Sequence, residues 1–318
     1  MPGMIGRFRP LEISRHPVAG QVAPLSRAAR HYNRSRRALA AIFARQRVAS
    51  ACLLLAGAIT IAGVAMATNA GVAEARAAEL PEGLVADGSA RVVEIIDGDT
   101  VVLDDGSEVR LVGLQAPKLA LGRPDFEDWP LADAAKAALE ELVLNRDVTL
   151  AYGGRRLDRH GRRLAHLFLT DGTWVQAAVL SDGMARVYSF PDNRAAVQEL
   201  LNLEMAARAA TRGIWAEPWY AVRTIDGLES EIDSFQLVEG RVLDVARVKD
   251  RAYLNFGTDW KTDFTLVLDE DALRLFDETA IAPESFAGRR IRVRGWLESF
   301  NGPMIEITHP EQIEVIEE

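Results

Sequence analysis

Arg91-Val92-Val93-Glu94-Ile95-Ile96-Asp97-Gly98-Asp99-Thr100-Val101-Val102-Leu103-Asp104-Asp105-Gly106-Ser107-Glu108-Val109-Arg110-Leu111-Val112-Gly113-Leu114 is the stretch that decides the fold class. Three runs rich in β-branched residues, over 91–96, 100–103 and 108–114, are separated by Asp97-Gly98-Asp99 and by Asp104-Asp105-Gly106. Valine and isoleucine fit the pleated surface of a strand, and Asp and Gly tolerate the tight turns that reverse one. So few residues between runs predict an antiparallel meander of three strands.

Downstream, Pro130 opens a helix over 131–144, with Leu131, Ala135, Ala138, Leu139 and Leu142 on one side. Proline suits a first helical turn, whose N–H groups have no partner in any case. Strands over 147–152 and 163–169 flank a basic loop at 153–162. A short helix is expected over 173–180 and a long one from about 192 to 211, stopping at Gly213. Five strands with a helix between the third and fourth predict an OB-type Greek-key barrel, in a mainly β protein of the α+β class. An acidic connector, 217–234, leads to a second β-rich unit. Its strands are expected over 237–248, 252–256, 264–268, 290–298, 304–307 and 312–316, with a helix over 269–276, again as a small OB-like barrel.

Charge divides the 318 residues unevenly. Residues 1–75 hold ten arginines against Glu12 and Glu74, a net of +8, and the remaining 27 basic and 44 acidic residues leave the body near −17. An acidic body disfavours non-specific binding to nucleic acid and to anionic lipid. Residues 48–73 carry no charge and follow a stretch dense in arginine. That order predicts a leader over 1–76, either a signal peptide cleaved after Ala67 or Ala75 or an uncleaved membrane anchor. Either way the body is expected outside the cytoplasm, in the periplasm or held at the inner membrane. The single cysteine, Cys52, lies in the apolar run, so the folded part has no disulfide framework or cysteine-built metal site. The organisation read from the sequence is then leader 1–76, linker 77–89, first domain 90–216, connector 217–234 and second domain 235–318.

Cleaving a phosphodiester asks for a cation to neutralise the phosphate, an acid to align or deprotonate water, and arginines to spread the developing charge. A hard divalent cation wants several oxygens, more than one of them a carboxylate. The runs Val93-Glu94-Ile95-Ile96-Asp97-Gly98-Asp99-Thr100-Val101, Arg110-Leu111-Val112-Gly113-Leu114-Gln115-Ala116-Pro117-Lys118 and Asp158-Arg159-His160-Gly161-Arg162-Arg163-Leu164-Ala165 offer such pieces in order. So do Leu180-Ser181-Asp182-Gly183-Met184-Ala185-Arg186-Val187-Tyr188 and Arg212-Gly213-Ile214-Trp215. With those landmarks, residues 90–216 resemble the staphylococcal nuclease (thermonuclease) family.

The resemblance implies a calcium-dependent hydrolase of DNA or RNA. It places Asp99, with Asp97 beside it, at the first calcium carboxylate, and Arg110 and Arg162 at the two catalytic arginines. Tyr188 matches a tyrosine lining the nucleotide pocket. Two positions depart from the pattern. Gln115 stands where the family has a second calcium aspartate, and Lys118 where it has the glutamate that acts on water. Losing a carboxylate weakens a calcium site, and an added ammonium opposes one. One reading is that Lys118 pairs with Asp99 in place of the metal. Arg110, Arg162 and Lys118 would then hold a phosphate-containing ligand, a nucleic acid or a protein partner. Another is an active endonuclease whose replacement base is His160, Glu127 or Asp128. A third is a purely structural component. In the second domain Arg290, Arg292 and Arg294 share a strand face with Trp296, with Tyr253, Phe256 and Trp260 on other strands or loops. Such a face can stack single-stranded nucleic acid, but ten basic against nineteen acidic residues over 231–318 favour an ordinary half-buried strand.

Overall fold

A single long strand closes the first barrel. β1 (Val85–Asp97) pairs antiparallel with β5 (Asp147–Tyr152) through its first part and with β2 (Thr100–Leu103) through its second. The computed structural model describes residues 80–316, residue 260 excepted, and so begins this strand inside the stretch read as a linker. The leader, Cys52 and Trp260 lie outside the described residues. The change of partner falls at buried Val92, whose N–H donates to the Arg146 carbonyl at 3.0 Å and whose carbonyl accepts from Asn145 N at 2.9 Å. β3 (Glu108–Leu111) and β6 (Arg163–Leu169) complete the closed order β1-β2-β3-β6-β5. β3 and β6 run parallel, which no hairpin can arrange, and helix α1 (Ala132–Val143) lies in the crossover between them. Val92, Leu103, Leu111, Leu139, Leu150 and Leu167 fill the interior, none more than 1% exposed.

Two expected elements are broken, each by packing. The strand expected over 108–114 ends at Leu111, and Gly113 restarts it as β4 (Gly113–Gln115), which leaves the barrel to pair with β7 (Arg186–Tyr188). Gly113 has φ 87°, and a Cβ there would sit 2.6 Å from Leu200 Cδ1, so glycine is required on both counts. The short helix forms as α2 (Val175–Ser181), but the long one, expected from 192, begins only at α3 (Val197–Ala209). Residues 190–193 instead bind the loop beside them: Arg155 N donates to the Asp192 carbonyl at 2.9 Å, and Asn193 Nδ2 to the Arg155 carbonyl at 3.0 Å. The left-handed Ala196, φ 59°, then turns the chain into α3.

The second unit repeats the first in its pairing order. β9 (Ser234–Arg241), β10 (Asp244–Val248), β11 (Arg251–Asn255), β12 (Thr265–Leu268), β13 (Arg290–Ser299) and β14 (Pro303–Ile307) form a curled sheet in the order β10-β11-β12-β14-β13-β9. β8 (Arg223–Thr224) adds beside β9, and β15 (Ile313–Val315) beside β13. Taken as halves of one strand, β9 and β10 correspond to β1. The parallel pair of third and fifth strands recurs in β12 and β14. Helix α4 (Glu270–Glu278), capped by the Asp269 side chain accepting from Ala272 N at 2.9 Å, again lies between the third and fourth strands.

The strand expected over 237–248 is interrupted at Val242, for the reason already seen at Val92. Val242 N donates to the Arg289 carbonyl at 2.9 Å and its carbonyl accepts from Gly288 N at 2.8 Å. Asn145 and Gly288 both take left-handed φ, 60° and 74°, so the same turn feeds the fourth strand in each barrel. The connector contains β8 and short helical turns at Pro218–Tyr220 and Leu228–Glu231, and buried Tyr220 donates from Oη to the Pro130 carbonyl at 2.8 Å. Among the described residues no helix is long and apolar enough to cross a membrane.

Both barrels lie in one compact unit, Ala73–Glu318, and buried ion pairs join them. Of the Arg290, Arg292 and Arg294 stripe, Arg294 belongs to that junction, and all three side chains are engaged by carboxylates. Arg294, 2% exposed, pairs with fully buried Glu204 of α3 at 2.9 and 3.0 Å and with Glu314. Arg292 binds Glu239 at 2.8 Å and Glu314 at 3.2 Å, and Arg290 reaches Glu239 at 3.2 Å. Removing one partner of a buried pair strands the other charge. Arg294→Met is therefore expected to lower stability by about 3–5 kcal/mol in chemical denaturation.

His309, fully buried, lies against the first barrel with Nε2 2.7 Å from Ser189 Oγ, and Arg194 pairs with Glu311 beside it at 2.9 Å. Burial holds the His309 imidazole down at about 4, Glu311 opposing and Arg194 and Arg294 reinforcing the effect. A depressed histidine contributes stability that is complete above its ordinary pKa near 6.5 and lost as pH falls through its folded value. Stability measured by denaturant is expected to fall between about pH 6.5 and pH 4, with a smaller fall for His309→Gln over the same window.

Candidate functional site

The Asp97-Gly98-Asp99 turn joins β1 to β2 and is pressed between α1 and the loop after β4. A Cβ on Gly98 would lie 2.7 Å from Ala116 Cβ and 2.8 Å from Ala135 Cβ, so only glycine lets the turn seat so deeply. The turn is closed by Asp99 N donating to Asp97 Oδ1 at 3.1 Å, and the Asp99 carbonyl accepts from Leu111 N of β3 at 2.9 Å. Asp99 is thereby fully buried. A carboxylate taken out of water must be met by donors or cations.

Asp99 has both. Its Oδ2 accepts from Ala116 N at 2.8 Å and its Oδ1 from Thr100 Oγ1 at 3.2 Å. Lys118 Nζ lies 2.6 Å from Oδ1 and 2.7 Å from Oδ2, and 3.1 Å from Asp97 Oδ2. The Arg110 guanidinium pairs with Asp99 Oδ1 as well, and its Nη2 reaches the Leu114 carbonyl at 3.4 Å. Burial pushes the Lys118 ammonium below its ordinary range, Arg110 adding to the effect and Asp97 opposing it. The carboxylate oxygens around it only accept, so Nζ is the donor in each of these contacts. Two carboxylates and two cations make a closed cluster.

Gln115 does not join that cluster with its side-chain oxygen. Gln115 Oε1 accepts from Arg186 Nε at 3.0 Å and Nη2 at 2.7 Å, while Arg186 Nη1 donates to the Phe235 carbonyl of β9 at 3.0 Å. Arg186 is buried, with its guanidinium 4.5 Å from the Phe235 ring centroid. A calcium ion needs about six to eight oxygens, several of them charged. Here the Asp97 and Asp99 oxygens face an ammonium and a guanidinium. Among the described residues no group of three or more His, Cys, Asp or Glu is arranged to hold a metal. The donor set does not fit calcium.

Arg110 is the side chain that the cluster shares with an open pocket of about 430 Å³. Arg162, His160 and Tyr188 line it, as the sequence grouped them, whereas Lys118, Asp97 and Asp99 do not. Arg162 is fixed by Asp158, whose Oδ2 accepts from Arg162 Nε at 2.7 Å and whose Oδ1 accepts from Arg162 N at 3.0 Å and His160 N at 2.8 Å. The exposed His160 ring accepts at Nε2 from Arg159 Nε at 3.0 Å. Half-buried Tyr188 stands edge-on to Phe190 and Phe235, at 5.0 and 4.8 Å between centroids, and burial raises its phenol. Glu127 and Asp128 are not on the pocket wall; Asp128 Oδ1 accepts from Ala120 N at 2.6 Å and closes its own loop.

The wall also holds charged and aromatic residues that were not singled out in the sequence. Arg155 and Arg159 come from the basic loop, whose arginine density was the available signal, and Phe190, 47% exposed, comes from the turn before α3. Arg155 lies 3.6 Å from Asp192 in an exposed pair. Four arginines against Asp158 and Asp192 give this pocket a positive balance on an acidic body. Arginine forks match phosphate oxygens, and the Tyr188 and Phe190 rings offer stacking surface at the same mouth.

Residues 108–217 match the family model described as Staphylococcal nuclease homologue. An uncharacterized endonuclease of Escherichia coli O157:H7 is 31% identical over 144 residues, covering 43% of this chain and 86% of that protein. Protein ParB of Escherichia coli is 35% identical over 138 residues, covering 40% of this chain and 72% of that one. A thermonuclease of Staphylococcus intermedius is 32% identical over 105 residues, covering 32% and 61%. The family match ends before β9, so the second barrel lies outside it.

The cluster predicts a large cost for losing its ammonium. Lys118→Met leaves Asp97 without its cation and Asp99 with Arg110 alone, and is expected to lower stability by about 3 kcal/mol in chemical denaturation. Lys118→Arg, which keeps the charge, is expected to recover part of that loss.

Proposed function

Because the chain belongs to the staphylococcal nuclease family, we propose that it is a member in which a lysine has taken the metal's place. Its first barrel binds a phosphate-bearing nucleotide or short oligonucleotide rather than cleaving one with calcium. The observation that carries this reading is Lys118 Nζ within 3.1 Å of Asp97 and within 2.7 Å of both Asp99 oxygens. Phosphate would be held by Arg110 and Arg162, with Arg155 and Arg159 adding charge at the rim, and a base would rest on Tyr188 or Phe190.

No acid of the pocket is left uncommitted to act on water. Asp158 holds Arg162 and Asp192 faces Arg155, while His160 is engaged by Arg159. Each role needs the group to be available when substrate is bound. The order of basic flank, uncharged run and small residues over 1–75 supports a site of action outside the cytoplasm. The relatives named endonuclease and thermonuclease favour the other reading, an active calcium-dependent nuclease.

Hydrolysis of DNA and RNA by the full chain, with calcium and with chelator, separates the two. The expected result is no calcium-dependent cleavage, with a 5′-phosphorylated oligothymidylate trimer bound about tenfold or more weaker by Arg162→Gln and by Arg110→Gln, as lost charge-assisted hydrogen bonds imply. Calcium is expected to leave the unfolding midpoint of the natural chain unchanged and to raise that of Lys118→Glu, which exchanges the ammonium for a third carboxylate. Calcium-dependent cleavage by the natural chain, abolished by Arg110→Gln, would overturn the proposal in favour of the enzyme.

A further inference from the structure

The second barrel has a pocket of its own, about 500 Å³, on the outward face of β10, β11, β12 and β14. Tyr253, Val267 and Met304 form its walls, and Phe300, 65% exposed, stands beside them in the turn between β13 and β14. In the pairing order of this barrel that is the face of the second and third strands, next to the loop joining the fourth and fifth. Barrels of this topology receive oligonucleotides and oligosaccharides there. The first barrel uses the corresponding loop, 153–162, for its own pocket.

The two loops carry opposite chemistry. The first presents Arg155, Arg159 and Arg162 to its pocket. The second presents Phe300 and Asn301, and no lysine, arginine or histidine lines its pocket at all. The one charge on the wall is a carboxylate, Asp244. A phosphate chain would find no cation here and one repulsive neighbour, which argues against nucleic acid.

What the wall offers is aromatic surface between neutral hydrogen-bonding groups. Asn255, Asn301 and Thr265 surround Tyr253 and Phe300. The side chains of Asp244, Tyr253, Asn255 and Asn301 have no hydrogen-bond partner among the described residues. Amides can both donate and accept, and a carboxylate accepts two hydroxyls readily. A pyranose ring has the matching form, with C–H faces for the aromatics and a rim of hydroxyls for the amides and the acid. We propose that the second barrel binds a neutral oligosaccharide in this pocket, independently of the ligand of the first barrel.

The test uses the full chain and two probes, a β-1,4-linked N-acetylglucosamine hexamer and maltohexaose, titrated by calorimetry. At least one is expected to bind saturably with a dissociation constant of about 1 mM or tighter. Tyr253→Ala and Asn255→Ala are each expected to weaken it roughly tenfold. Both positions are on the outer face, so unfolding midpoints close to that of the natural chain check that each variant folds. Arg162→Gln is expected to leave the sugar titration unchanged. No saturable heat from either hexamer up to about 10 mM would overturn the proposal. So would binding indifferent to both substitutions. An oligothymidylate hexamer whose binding is lost in Tyr253→Ala but kept in Arg162→Gln would also overturn it, by assigning this face to nucleic acid.

Discussion

Asp99 is a carboxylate with no access to water, and the first barrel is arranged around what that charge requires. Its partners come from separate pieces of chain: Thr100 from β2, Arg110 from β3, and the Ala116 amide and Lys118 from the loop beyond β4. A buried charge without them would be far too costly to keep. The same set therefore ties β2, β3 and the loop beyond β4 to one turn. Arg110 carries the consequence outward, because the guanidinium that neutralises Asp99 is also a wall of the open pocket. A substitution that displaces Arg110 from the cluster therefore also alters the pocket wall.

The second barrel shows how little of this chemistry belongs to the fold itself. Val92 and Val242 perform the same change of partner, answered by the same left-handed turn at Asn145 and Gly288. Backbone hydrogen bonds and a buried valine suffice for that closure, so side chains on the outer loops are free to differ. The loop between the fourth and fifth strands has used that freedom, with arginines in one barrel and Phe300 and Asn301 in the other.

The barrels meet where β4 and β7 leave the first of them. Glu204 accepts from Val187 N, Arg294 of the second barrel donates to the Val187 carbonyl at 3.3 Å, and the two side chains pair with each other. Tyr188, the next residue, packs on Phe235 of β9. Arg186 spans the same seam from Gln115 to the Phe235 carbonyl. The wall of the first pocket is thus held partly by the second barrel. This also accounts for Gln115, whose amide oxygen serves the junction and not the Asp97–Asp99 turn.

Much of this was legible from the residues alone. Alternating β-branched runs with Asp-Gly turns marked the meander because strand period and turn chemistry are local properties. Arg110, Arg162, His160 and Tyr188 were legible as one pocket through ordered motifs, and the conflict at Lys118 was visible as a change of charge. What sequence could not supply was which partner each charged side chain chooses. The stripe of Arg290, Arg292 and Arg294 has the same spacing whether it faces nucleic acid or the carboxylates of Glu204, Glu239 and Glu314. Likewise the helix expected from 192 lost its first turns to hydrogen bonds with Arg155, far away in the chain, which local propensity does not register. The sequence by itself determined most of the strands, the tight turns between them and the list of charges. Only the tertiary structure decided which charges neutralise one another, because ion pairing depends on distance in space between residues far apart in the chain.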